Sequence, residues 1–220
     1  MLIQNLINNS YPQLNIDDTV QRALLLMTEY RVQHLPLVNN GIYLGIVSED
    51  ALLDEADEHT HLKALELLPN TIAVLKDAFV LNILPLMQQH SLTIVPIIDA
   101  EKNYLGLVDE TAIIAWMNSF YNTKQPGAII VLEMDPYQFS FSELSRLTET
   151  NNATIKQLNT QINEANGMML VYIKLNTNEV SDVVATYQRF NYDVIQYFGE
   201  DKFDYRLQEN LGNLLSYLNM

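Results

Sequence analysis

Residues 20–53, VQRALLLMTEYRVQHLPLVNNGIYLGIVSEDALL, return in altered form at residues 80–114, VLNILPLMQQHSLTIVPIIDAEKNYLGLVDETAII. At one constant offset Val20 meets Val80, Leu24 meets Leu84, Leu26 meets Leu86, Met27 meets Met87 and Pro36 meets Pro96. One extra residue in the second turn then moves the frame. Beyond it Tyr43-Leu44-Gly45 meets Tyr104-Leu105-Gly106, Val47 meets Val108 and Glu49 meets Glu110. A fixed offset interrupted by a single loop insertion is the mark of a duplicated supersecondary unit.

Each copy carries the same elements. An aspartate, Asp17 or Asp77, precedes apolar residues at helical spacing (Val20, Ala23, Leu24, Met27; Val80, Ile83, Leu84, Met87), which predicts a helix with a polar start. In the first copy the helix runs over about 19–30, with strands over about 35–38 and 43–47 around the tight turn Asn39-Asn40-Gly41. Ser48 stands at the N-cap of the next helix. In the second copy strands over 93–98 and 104–108 flank a longer turn, and a helix closes the repeat over about 110–120. Pro85 falls inside the second copy's first helix, which predicts a lost donor and a bent axis. One helix and one ribbon cannot bury both of their apolar faces. Two copies packed together can, so the pattern predicts one pseudo-symmetric module.

A helix, a hydrophobic-Pro-hydrophobic strand, a turn and Gly45-Ile46-Val47-Ser48-Glu49-Asp50, all duplicated, resemble a tandem pair of CBS (cystathionine β-synthase) domains, a Bateman module, over about residues 3–120. The resemblance implies a regulatory module with an adenosine ligand in the cleft between repeats. It implies that Leu35-Pro36 and Val95-Pro96 hold the adenine. It also implies that a Ser or Thr three residues after the Gly meets the phosphate, and that an Asp six after it takes the ribose hydroxyls. A hydroxyl suits an anion, and a carboxylate accepts two donors. The third residue after Gly45 is Ser48, but the sixth is Ala51 and the acid comes one place early at Asp50. One step along a helix turns a side chain by about 100°, so Asp50 is expected to point away from a ribose. After Gly106 the third residue is Asp109, which repels phosphate, and the sixth is Ala112. The candidate ligand positions are thus Leu35, Pro36, Ser48, Asp50, Val95, Pro96 and Asp109, with part of a site kept in the first half only. The implied ligands are AMP, ADP, ATP or S-adenosylmethionine acting as effectors, with no required cofactor, and the implied assembly is a homodimer.

Polar residues 122–125 followed by Pro126-Gly127 read as a linker. Beyond it come a buried strand over 128–134, a helix opened by the capping-box spacing Ser140-Phe141-Ser142-Glu143, strands over about 153–160 and 168–176, a helix over about 179–190 and a strand over 193–198. The order β-α-β-β-α-β predicts a ferredoxin-like sheet with both helices on one face. That order resembles an ACT domain, a small-molecule regulatory module. ACT ligands sit at the turn after the first strand, where a Gly lets backbone donors approach; Asp135-Pro136-Tyr137-Gln138-Phe139 has none. Leu207, Leu211, Leu214, Leu215 and Leu218 share one face of a predicted C-terminal helix. The fold class read here is mixed α+β. A pseudo-two-fold CBS pair occupies 1–121 (repeats about 1–58 and 66–121), an ACT-like domain 127–200 and a C-terminal helix 201–220.

Composition sets the remaining bounds. The chain has 27 acidic against 12 basic residues and a formal charge of −15. Its few Lys and Arg are scattered, which argues against nucleic-acid binding. Cysteine is absent, which excludes disulfides and thiolate metal sites and fits a reducing compartment. No basic-then-apolar leader and no run of about 18 to 20 apolar residues is present, so the expectation is a cytoplasmic protein without membrane contact. Residues 54–61, DEADEHTH, hold carboxylates and two imidazoles without a recognised ligand spacing and read as a solvated acidic face. His34 and His90 read as structural or surface residues, and the aromatic end of the 110–120 helix as a core stripe or an interface anchor. No nucleophile-base pair, phosphate loop or H-E-x-x-H motif occurs. Three classes of function remain open: a non-catalytic sensor, a dimerisation scaffold with decayed sites, and a metal-dependent enzyme subunit of unrecognised type.

Overall fold

The computed structural model describes residues 2–65 and 72–200. The leucine-striped helix expected at 201–220 lies outside the described residues. The chain divides into two compact units, Met1–Phe120 and Tyr121–Met220.

In the first unit, helix α1 (Val20–Tyr30) buries Val20, Ala23, Leu26 and Met27, the face marked by the apolar spacing. Its cap is Thr19, whose hydroxyl accepts the Arg22 N–H at 3.3 Å. Asp17, the expected polar start, instead pairs with Lys63 at 3.0 Å on the surface. Strands β1 (His34–Asn39) and β2 (Ile42–Ser48) form an antiparallel ribbon. Asn40 and Gly41 join them with consecutive positive φ of 50° and 81°. A two-residue turn of that hand matches the twist of the flanking strands, which is why Asn-Gly stands there. Helix α2 (Glu49–Leu53) starts at Ser48, whose Oγ accepts the Ala51 N–H at 3.3 Å.

The second repeat follows the same course through β3 (Val74–Leu75), α3 (Ile83–His90), β4 (Ile94–Ile98), β5 (Tyr104–Asp109) and α4 (Glu110–Phe120). Equivalent irregularities show the common origin better than the regular parts do. α1 and α3 both end in a left-handed non-glycine residue, Arg31 (φ 56°) and Ser91 (φ 50°). Both ribbons shift register at the same place, between Leu37 and Val38 and between Ile97 and Ile98. β3, not anticipated from the sequence, pairs in parallel with β4, just as Leu14 bridges Leu37 in parallel in the first repeat. Pro85 does not bend a helix interior. Residues Val80–Asn82 form a 3₁₀ turn and the α-helix begins at Ile83. Pro85 therefore lies in the first α-helical turn, where its missing N–H has no intrahelical acceptor to lose.

The repeats are stitched at both ends of their ribbons. Tyr43 N donates to the Lys102 carbonyl at 3.0 Å and Tyr104 N to the Gly41 carbonyl at 2.8 Å, while Gln33 N donates to Thr93 Oγ1 at 3.3 Å. One core spans both repeats, from Leu35, Ile46 and Leu52 to Val95, Leu107 and Ile113. Trp116, 7% exposed, stacks on Phe120 at 4.9 Å and meets Phe79 edge-on at 6.2 Å. Its indole thus belongs to the core, while Phe79 and Phe120 cover its rim.

In the second unit, β6 (Ile129–Met134), α5 (Phe141–Glu149), β7 (Ile155–Ile162), β8 (Met169–Leu175), α6 (Ser181–Arg189) and β9 (Asp193–Phe198) follow the ferredoxin-like order. The antiparallel sheet runs β7-β8-β6-β9. Leu144, Leu147, Val183, Val184 and Tyr187 of the helices share one core with the alternate strand residues Ile130, Leu132, Val171 and Ile173, which places both helices on one face of the sheet. Thr148 Oγ1 and the Tyr187 hydroxyl, both buried, meet at 2.6 Å and tie the helices together.

Candidate functional site

The duplicated fold generates two equivalent places at the seam between the repeats, and their side chains differ. The first is a cavity of about 190 Å³ lined by Gln33, His34, Ser48, Glu49 and Asp50 of the first repeat and by His90 and Ser91 of the second. Local structure delivers each group. The left-handed turn at Ser91 brings the end of α3 to the seam, β1 begins there at His34, and β2 ends there at Ser48. Glu49 N donates to the Gln33 carbonyl at 2.8 Å, which fixes the start of α2 beside the start of β1.

His34 is 7% exposed. Its Nδ1 lies 3.1 Å from Thr93 Oγ1 and 3.4 Å from Thr93 N. A backbone N–H can only donate, so Nδ1 accepts and the neutral ring carries its proton on Nε2. Burial pushes the His34 pKa below its ordinary value, with the nearby Asp50 carboxylate acting in the opposite direction. Ser48 uses one lone pair for the α2 cap and keeps its O–H proton for an outside acceptor.

Of the residues marked by sequence, Ser48 and Asp50 are brought together, and Asp50 shares the cavity wall despite its displaced position. Leu35, Pro36, Val95 and Pro96 are buried in β1 and β4. They pair with Val47, Ile46, Val108 and Leu107 and lie outside that cavity lining. His34, His90, Gln33 and Ser91 were not marked as ligand positions. The repeat offset marked the corner: Ser91 is the counterpart of Arg31, and both are left-handed helix ends, of which Ser91 lines the cavity.

The equivalent second place holds Asp109 where the first has Ser48, and Tyr30 where the first has His90. Asp109 is 7% exposed. Its Oδ1 accepts the Ala112 N–H at 2.7 Å and caps α4, while its Oδ2 accepts the Asn8 amide at 3.1 Å. The Tyr11 hydroxyl lies beside this carboxylate. Burial together with the Asp109 charge raises the Tyr11 pKa. The Tyr11 ring lies 6.1 Å from that of Tyr30. The N-terminal segment therefore bridges the two groups that correspond to Ser48 and His90.

Among the described residues no three His, Asp or Glu side chains are placed to hold a metal ion. In the 54–61 segment His59 N donates to Asp57 Oδ1 at 2.9 Å and closes a local turn, while His61 Nδ1 meets the Asp17 carbonyl at 2.7 Å and ties the segment to the residues before α1. No helix among the described residues is long and apolar enough to cross a membrane.

A profile of the CBS domain matches residues 3–58 and 64–119. The chain belongs to the CBS domain family. A solved CBS domain pair/ACT domain protein from Thermotoga maritima is 21% identical with a TM-score of 0.50, over 55% of this chain and 98% of that one. The protein CBSX2, solved in complex with AMP, is 16% identical with a TM-score of 0.48, over 55% of this chain and 98% of that one. Homoserine O-acetyltransferase of Methanosarcina acetivorans is 25% identical over 123 residues, which make up 54% of this chain and 22% of that protein. The chain thus spans under a quarter of the length of that relative.

Proposed function

We propose that this CBS protein is a non-catalytic sensor whose first inter-repeat cleft takes an adenosine compound as effector. The observation that carries this reading is the convergence of Ser48, His34 and Asp50 from one repeat with His90 and Ser91 from the other on a single cavity. A ligand bridging these groups favours one arrangement of the repeats, and differential affinity for two arrangements is what a sensor requires. The cavity is small beside ordinary ligand pockets, so it takes one part of the ligand, with the base or tail outside. Glu49 and Asp50 at the rim disfavour a polyphosphate and favour a nucleoside, a monophosphate held by the Ser48 hydroxyl, or the cationic S-adenosylmethionine over ATP. The second unit is read as an ACT-like partner module and the functional form as a homodimer.

A thermal-shift series with adenosine, AMP, ADP, ATP and S-adenosylmethionine tests the reading. A ligand present at 100 times its Kd adds about 2.7 kcal/mol of stability. The expected result is a shift with adenosine, AMP or S-adenosylmethionine that Ser48→Ala removes. A flat response to all five contradicts it and favours the second reading, a ligand-free interaction scaffold. That alternative is supported by the N-terminal segment lying over Asp109 in the other cleft.

A further inference from the structure

The N-terminal segment is anchored by a fully buried residue at each end and is at most half-buried between them. Ile3 is fully buried and its N–H donates to the Ala78 carbonyl at 3.0 Å, while Gln4 N donates to the Lys76 carbonyl at 3.1 Å. Leu14 is likewise fully buried, giving its N–H to the Pro36 carbonyl and accepting from Val38 N, both at 2.8 Å. Ile3 thus anchors to the second repeat and Leu14 to the first. No residue from Gln4 to Gln13 is fully buried, and Leu6, Ile7 and Tyr11 pack half-buried against the core, so lifting the middle exposes those three side chains while both anchors stay in place.

That middle occupies the second cleft. Asn8 pairs with Leu107 on the free side of β5, with Asn8 N to the Leu107 carbonyl at 2.8 Å and Leu107 N to the Asn8 carbonyl at 3.3 Å. Ile7 and Asn9 lie where a Cβ on Gly106 would stand, so the missing side chain makes room for the segment. Asn8 Nδ2 donates to the buried Asp109 carboxylate at 3.1 Å, and the Tyr11 hydroxyl lies beside it.

We infer that residues 7–11 are a releasable strap, a built-in occupant that satisfies Asp109 and keeps the second cleft shut. Lifting it opens the Asp109 carboxylate, left with only the Ala112 N–H of the α4 cap, to the cleft. That carboxylate rejects phosphates and accepts a neutral nucleoside through its hydroxyls. Only this last consequence leans on the adenosine reading; the strap itself does not.

Residue-resolved hydrogen exchange on the full chain tests the strap without any ligand. Asn8→Asp sets two carboxylates against each other. The expected result is exchange at the Leu107 amide at least about ten times faster, with the β1–β2 amides unchanged. Tyr11→Phe keeps the ring against Tyr30 and removes the hydroxyl beside Asp109, so a smaller acceleration at the same amide is expected even where Asn8→Asp fails to fold. Unchanged exchange at Leu107 in Tyr11→Phe, or an increase shared by the whole first unit, overturns the strap. Calorimetric titration then separates the second claim. Adenosine gains one equivalent per chain in the strap variant over the wild type, and AMP gains none. An unchanged adenosine count, with Leu107 exchange accelerated, removes the nucleoside preference alone.

Discussion

The two clefts of the first unit come from the same duplicated backbone, yet one is walled by Ser48, His34 and His90 and the other is sealed by Asp109, Tyr30 and Tyr11. The starts of α2 and α4, the left-handed corners and the ribbon bulges coincide position for position. The difference lies in a few side chains and in the segment before the first repeat. A serine at the helix cap leaves a free hydroxyl proton. An aspartate at the equivalent cap places a buried carboxylate that takes the Asn8 amide as a donor beside the Tyr11 hydroxyl. Duplication fixes the scaffold, and single substitutions at matched positions decide which copy stays open.

The largest expected effect concerns what the copies share. Leu35→Ala deletes buried atoms from the core common to both repeats and is expected to cost about 2–5 kcal/mol by urea denaturation. Val95→Ala, at the matched strand position, is expected to cost less but to weaken the same transition. Two separate transitions for the repeats would break the single-core account.

The next effect separates the copies. Asp109→Ala removes the α4 cap and strands the Asn8 donor, with an expected cost of about 2 kcal/mol. Ser48→Ala removes the cap of the five-residue α2 and is expected to cost about 1 kcal/mol or less. Equal costs would mean that the N-terminal segment gains nothing from Asp109.

How much of this was legible follows from the physics of each element. The helices, ribbons and ferredoxin-like order were readable because burial imposes periods of 3.6 and 2 on the sequence. The Asn-Gly turn and the Ser48 and Ser140 caps were readable because those residues answer a local backbone demand. β3 was not, since two residues carry no period. Pro85 was misplaced because a 3₁₀ turn and an α-helix share the same apolar spacing over one turn. His34 and His90 were passed over because their significance lies in a contact between residues some 60 positions apart, between His34 and Thr93, that no local pattern contains. The role of Asn8 and Tyr11 on Asp109 was hidden for the same reason.

A smaller effect sharpens the first cleft through pH. The His34 pKa is depressed in the folded chain by burial. The unfolded chain therefore takes the proton first as pH falls through the ordinary histidine range. The sign follows: stability is kept above about pH 6.5 and is lost as pH drops toward the folded pKa. The wild type is expected to lose more melting temperature between pH 7.5 and 5.5 than His34→Asn, and parallel losses would contradict a buried neutral imidazole. The smallest effect is at the surface. Lys63 and Asp17 have side chains 57% and 70% exposed, and after solvent screening Lys63→Ala is expected to change stability by less than about 0.5 kcal/mol.

The inequality of the two clefts is tested most directly by the stoichiometry of a calorimetric titration of the wild-type chain with S-adenosylmethionine. The account predicts one equivalent per chain, lost in Ser48→Ala and retained in Tyr11→Phe. Two equivalents per chain, or binding that survives Ser48→Ala, would contradict it.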